Sequence, residues 1–209
     1  KDNNGGAWER ARLNYFGRVG YNYKSKYIGE FLWRYDGSYM FPENKRYGFF
    51  PGVLLGYLVS EETFWKDNVS FINYFKIRAS YGQMGNDNIY YDGALQEYQY
   101  YSTYAFGSYI IGNEVVKSLY ESRVPNNFIT WEVANNYNLG LDFQFFNGKL
   151  NAEFDVFKNS RNSILWRRNA SIPQSTGMTL PAENIGKVDN SGWEFNVGYK
   201  NKIGELGYN

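Results

Sequence analysis

Apolar and polar side chains alternate at every second position along most of this chain, in runs of ten or more residues, and no convincing 3.6-residue stripe competes with them. A two-residue period puts neighbouring side chains on opposite faces of an extended strand, so the chain has to become long, two-faced β-strands. Strands of ordinary globular domains average about five or six residues. The expectation is an all-β chain of about seven long strands.

The segments are 13–23, 27–36, 47–59, 71–82, 130–146, 148–160 and 187–200. In the first, Tyr15, Gly17, Val19, Tyr21 and Tyr23 share a face against Asn14, Phe16, Arg18, Gly20 and Asn22; in the second, Phe31, Trp33 and Tyr35 oppose Glu30, Leu32, Arg34 and Asp36. Phe75, Ile77, Ala79 and Tyr81 oppose Lys76, Arg78 and Ser80. The division is clearest in the next pair, where Trp131, Leu139, Leu141 and Phe143 face away from Glu132 and Asp142, and Phe154 and Val156 face away from Glu153 and Asp155. Trp193 and Phe195 close the series, with Glu194 on the polar side. Pro51 cannot donate to a ladder, which predicts a bulge in the third segment.

The joints alternate in length. Residues 24–26 make a tight polar turn, 37–46 a loop, and 60–68 a short acidic link that suits a helical turn. Residues 83–127 show no periodicity and read as a long loop, Asn147-Gly148 is a strong hairpin signal, and 161–186 is another loop. Short turns at one end and long loops at the other are the arrangement of bacterial outer-membrane barrels.

Composition closes other routes. With 21% aromatic residues the chain is not a disordered one. Neither Cys nor His occurs, which removes disulfides, thiolate metal sites, imidazole ligands and imidazole-dependent triads, so no cofactor, metal or catalytic residue is expected. Net charge is +1 with the signs interspersed, which argues against nucleic acid as a partner. No run reaches the ~18 apolar residues of a membrane helix, but a transmembrane strand needs only ~9–11 residues.

Alternation alone leaves two architectures open, because a soluble β-sandwich also has one apolar face per sheet. A secreted carbohydrate-binding or adhesive β-domain is one reading. The length of the strands, charges along the whole polar face, and aromatics toward strand ends at Trp131, Phe145, Trp193 and Tyr199 favour a barrel in lipid.

The segment Phe75-Lys76-Ile77-Arg78-Ala79-Ser80-Tyr81-Gly82-Gln83-Met84-Gly85-Asn86 resembles a signature strand of the SusC/RagA family of TonB-dependent transporters. Upstream, the stretch from Tyr47 to Tyr57 with Pro51-Gly52, followed by Ser60-Glu61-Glu62, is similar to that family's preceding strand and link. Downstream, Thr130-Trp131-Glu132, Asn138-Leu139-Gly140-Leu141-Asp142-Phe143, Asn147-Gly148 and Asn190-Ser191-Gly192-Trp193-Glu194 follow in the family's order. The family's signal peptide, TonB box and plug have no counterpart here, and seven strands fall short of the about 22 of a plugged barrel. The expectation is a fragment of a large antiparallel transmembrane β-barrel, residues 1–209 belonging to one barrel domain.

The resemblance implies TonB-energised import of an oligosaccharide or peptide across the outer membrane, with a SusD-like lipoprotein and the TonB complex as partners. In that setting Lys76, Arg78, Glu132, Asp142, Glu153, Asp155 and Glu194 would face the lumen. Trp131, Leu139, Leu141, Phe143, Phe154, Trp193 and Phe195 would face lipid. Tyr90, Tyr91, Tyr98, Tyr100, Tyr101 and Tyr104, interleaved with Asp92, Gln96, Glu97 and Gln99, combine aromatic area with hydrogen-bonding groups and are candidates for substrate or lid contact, as are Trp166 and Arg167. The same tyrosines could instead pack the loop upon itself.

Overall fold

Seven long strands form a single antiparallel sheet in which each strand pairs with the strands before and after it among the seven. The computed structural model describes residues 7, 9–91, 93–168, 180–203 and 206–208, with the side chains of 91, 203 and 206–208 outside the description. The sheet is built from β1 (Arg12–Tyr23), β2 (Tyr27–Ser38), β3 (Tyr47–Leu58) and β4 (Ile72–Asn86). Two small hairpins follow, β5 (Tyr90–Tyr91) with β6 (Ala94–Leu95), and β7 (Thr103–Ile111) with β8 (Glu114–Arg123). The main sheet resumes with β9 (Glu132–Phe145), β10 (Leu150–Trp166) and β11 (Glu183–Tyr199), after which β12 (Asn201–Ile203) pairs with β13 (Leu206–Tyr208). The order β1-β2-β3-β4-β9-β10-β11 leaves the sheet open at β1 and β11.

The short joints are as tight as their residues allow. Lys24 and Ser25 take positive φ between Tyr23 and Tyr27, and Phe146, Asn147 and Gly148 do the same between Phe145 and Leu150. The acidic link is a 3-10 turn at Val59–Glu61 followed by α1 (Thr63–Asn68).

Two expectations need correction. No bulge forms at Pro51, since β2 and β3 pair without a register break from Tyr27 opposite Tyr57 to Gly37 opposite Tyr47. Instead the β3–β4 ladder stops at Gly52, next to the residue that has no N–H to offer it. Residues 83–127 are not one irregular loop either: β4 continues to Asn86, and β7 and β8 pair along their lengths. That hairpin carries apolar residues on both faces, Phe106 and Leu119 on one and Tyr109 and Val116 on the other, so it has no two-residue contrast to read. Gly112, with φ +65°, allows its turn.

The two faces of the sheet follow from register. One row runs through Tyr23, Tyr27, Tyr57, Ile77, Leu141, Phe154 and Phe195, one residue from each long strand. On β9–β11 the apolar residues continue below it to Phe145, Leu150 and Tyr199, where β1–β3 have already ended. Higher up, the row of Val19, Phe31, Val53, Tyr81 and Tyr137 continues into Lys158 and Ser191. On β1–β3 the apolar residues instead go on up to Tyr15, Tyr35 and Phe49. The apolar band thus crosses the rows diagonally, as a level band must on strands tilted by ~35–45°.

The hydrophobic cluster of the described residues lies at the end of the sheet that carries the long loops. Tyr39, Met40 and Phe41 from the β2–β3 connection, Ile89 after β4, Ile129 and Trp131 before β9, and Ala182 before β11 form one cluster with Phe50. Loops from four places in the chain therefore cap the sheet as a single packed body.

Candidate functional site

The charged face of the sheet is organised by the strand rows. Lys76, Asp142 and Glu153 are register partners in one row; Arg78, Gly140, Asp155 and Glu194 are partners in the next. Arg78 donates from Nε to Asp142, at 2.9 and 2.8 Å, and from Nη2 to Asp155 at 3.0 Å. Reaching Asp155 takes the guanidinium across β9 at Gly140, where a Cβ would lie 2.6 Å from Arg78 Cζ. One cation therefore holds two carboxylates from two strands. Glu132 lies apart from this group near the loop end, buried, with Arg161 Nε at 3.4 Å.

Leu139, Leu141, Phe143, Phe154, Trp193 and Phe195 all fall on the apolar face. Trp131 does not join them. It is only 8% exposed, packs at 5.2 Å from the Phe41 ring and 5.3 Å from Phe50, and donates from Nε1 to the Arg46 carbonyl. Its place in the alternation is that of the outer face, but it precedes β9, and the β2–β3 loop folds over it.

The loop tyrosines divide in the same way. Tyr98 and Tyr100 pack against the loop cluster; Tyr98 donates to the Glu9 carbonyl, and Tyr100 to the Tyr39 carbonyl at 3.3 Å. Gln99 between them is fully buried and accepts from the Ala182 N–H. These residues are mortar for the loops. Tyr90, Tyr101, Tyr104 and Trp166 present most of their side chains to solvent, and Arg167 donates to Gln96 at 3.0 Å. The Tyr91 side chain and Asp92 lie outside the described residues.

The groups that lock the loops to the first strand carry no sequence signature. Arg12 forms a two-pronged pair with Asp87, at 2.8 and 3.1 Å, and Ser38 donates to the same carboxylate at 2.6 Å. Glu97 accepts from Arg10 and from the Tyr39 hydroxyl. The Arg10 and Tyr39 hydrogen bonds hold the Glu97 carboxyl below its ordinary pKa. Burial first, and then the bond to Glu97, push the Tyr39 phenol up to about 12. The partners are 49 to 87 positions apart, so local spacing could not have exposed them.

At the opposite end Glu62 gathers Lys26 at 2.9 Å, the Tyr27 hydroxyl at 2.9 Å and the Tyr57 hydroxyl at 3.4 Å. Its carboxyl is held below the usual value, chiefly by Lys26. This ties the β1–β2 turn to the link between β3 and β4.

Comparison with known proteins adds independent information. Residues 2–209 match the family model described as TonB dependent receptor-like, beta-barrel. TonB-dependent receptor P39 of Formosa agariphila is 36% identical over 194 residues, covering 93% of this chain and 18% of its own length. TonB-dependent receptor SusC of Bacteroides thetaiotaomicron is 33% identical over 193 residues, covering 90% of this chain and 18% of its own length. The RagAB peptide transporter structure superposes with a TM-score of 0.77 at 22% identity, over 94% of this chain and 20% of that one. The siderophore receptor PirA from Pseudomonas aeruginosa gives 0.55 at 15% identity, over 93% and 32%. At those identities the two structures attest the fold. The chain spans about a fifth of the length of the curated relatives it matches.

Proposed function

The chain belongs to the TonB-dependent receptor β-barrel family, and from that premise we propose that it forms one sector of the wall and outer loops of an outer-membrane importer for a large nutrient. Family members are outer-membrane barrels that act as receptors and transporters, not as enzymes. In this reading residues 1–209 belong to a single barrel domain. The apolar band faces hydrocarbon, and the rows of Lys76, Arg78, Asp142, Glu153, Asp155 and Glu194 line a wet lumen. Uptake is driven by the TonB complex, and a SusD-like surface lipoprotein works with the loop end.

The observation that carries this reading is the diagonal apolar band. A soluble sandwich covers its apolar face with a second sheet, and here the face is open: Trp193 is 69% exposed and Phe195 62%. So wide an apolar surface marks a membrane or protein contact, and its slant across the strand rows is what membrane tilt requires.

The substrate is an oligosaccharide or a peptide. The exposed Tyr90, Tyr101, Tyr104 and Trp166 offer rings with polar tips at the loop end, which suits either. One of the structural relatives is the RagAB peptide transporter. Uptake by cells carrying the full-length protein should be measured for labelled oligosaccharides and peptides, with and without a functional TonB complex. TonB-independent accumulation, or a protein recovered from cells without detergent, would refute the proposal.

A further inference from the structure

The outer surface holds a second feature, immediately above the apolar band on β9, β10 and β11. Tyr137, Val156 and Trp193 are the last ring or branched side chains on that face before it turns polar. Beside Tyr137, and one row above Val156 and Trp193, stands Lys158, then Ser160 beside Asn135 and Asp189, and Lys187 with Asn162 lines the same cleft, whose volume is about 470 Å³. Lys187 pairs with Asp189 at 3.2 Å, and Ser160 also donates to that carboxylate. Asp189 thus has its charge matched, and the cleft retains a net +1. Asn135 accepts through Oδ1 from Tyr81 at 3.2 Å and from Gln83 at 2.8 Å, which fixes its amide and leaves Nδ2 as the donor it can offer a ligand.

We propose that this cleft binds the phosphate of an anionic lipid headgroup in the outer leaflet, with Lys158, Lys187 and Asn135 as donors and the acyl chains lying on Val156 and Trp193 below. Hydrocarbon-compatible side chains directly beneath ammonium and amide donors match an amphiphile and not a free anion. Long lysine stems allow the charge to rise to headgroup depth while their methylenes stay on the apolar surface. The inference rests on the outward orientation proposed above, and the test separates the two.

The full-length protein is reconstituted in bilayers carrying brominated acyl chains on either phosphatidic acid or phosphatidylcholine. The quenching of Trp193 is read as the difference between the parent protein and Trp193→Phe. Phosphatidic acid should quench at about a fivefold lower mole fraction, the worth of the one unmatched cation at an anionic surface, and the double variant Lys158→Ala with Lys187→Ala should abolish that preference. Millimolar inorganic phosphate should leave the preference intact. Equal quenching by the two lipids, a preference unchanged in the double variant, or its loss to inorganic phosphate overturns the headgroup site while the lipid-facing orientation stands. Failure of both lipids to quench Trp193 overturns the orientation as well.

Discussion

Arg78 and Asp155 stand on strands that are not neighbours, yet they form a 3.0 Å ion pair because Gly140, on the strand between them, has no side chain. The absence of one Cβ lets a single guanidinium tie three strands together across two carboxylates.

Gly140→Ala tests this directly. The new methyl would lie 2.6 Å from both Arg78 Cζ and an Asp155 oxygen, so the guanidinium has to leave. Losing the pair to Asp155, made by a guanidinium that is partly exposed, costs about 1 kcal/mol. Unfolding of the full-length protein in detergent should show the loss, and Gly198→Ala, where no atom stands within 4 Å, should show little.

The Glu97 cluster predicts a pH window for loop order. A carboxyl held below its ordinary value adds stability above that value, 4.5, and loses it as pH falls through the lower folded value. Tyr39 works in the opposite sense: its phenol rises from 10.0 to about 12, so its contribution is complete below pH 10 and lost as pH climbs toward 12. Proteolysis of the segment around Glu97 should accelerate at both extremes. Glu97→Gln should remove the acid limb, and an unchanged acid limb in that variant would contradict the assignment.

The face assignment predicts opposite responses on the neighbouring strands β10 and β9. Phe154→Arg puts a cation in the apolar band and should cost about 2–4 kcal/mol in a bilayer. Asn138→Arg, on the charged face, should be tolerated to within about 1 kcal/mol. Equilibrium refolding into lipid vesicles distinguishes the two, and equal costs would remove the distinction between the faces.

Two tryptophans of the same alternation class should differ in the same way. Trp131→Ala empties a packed site between Phe41 and Phe50 and should cost about 3–5 kcal/mol, with faster cleavage of the 39–46 loop. Trp193→Ala should leave that loop's cleavage unchanged, since nothing in the loop cluster touches it.

Local chemistry by itself determined the seven long strands, their two faces and the alternation of turns with loops, but not the hairpin of β7 and β8. A two-residue period is a property of consecutive residues, and positive-φ turn residues act within four positions. Lys76 and Asp142, or Leu141 and Phe154, could be placed on their faces before any strand had a partner. Tertiary structure alone decided that Trp131 is buried, that Tyr98 and Tyr100 pack while Tyr90 and Tyr101 stay exposed, and that Arg12 meets Asp87. In each case the outcome depends on a loop arriving from 50 or more positions away, and no periodicity in a linear chain encodes which distant segment will cover a given side chain.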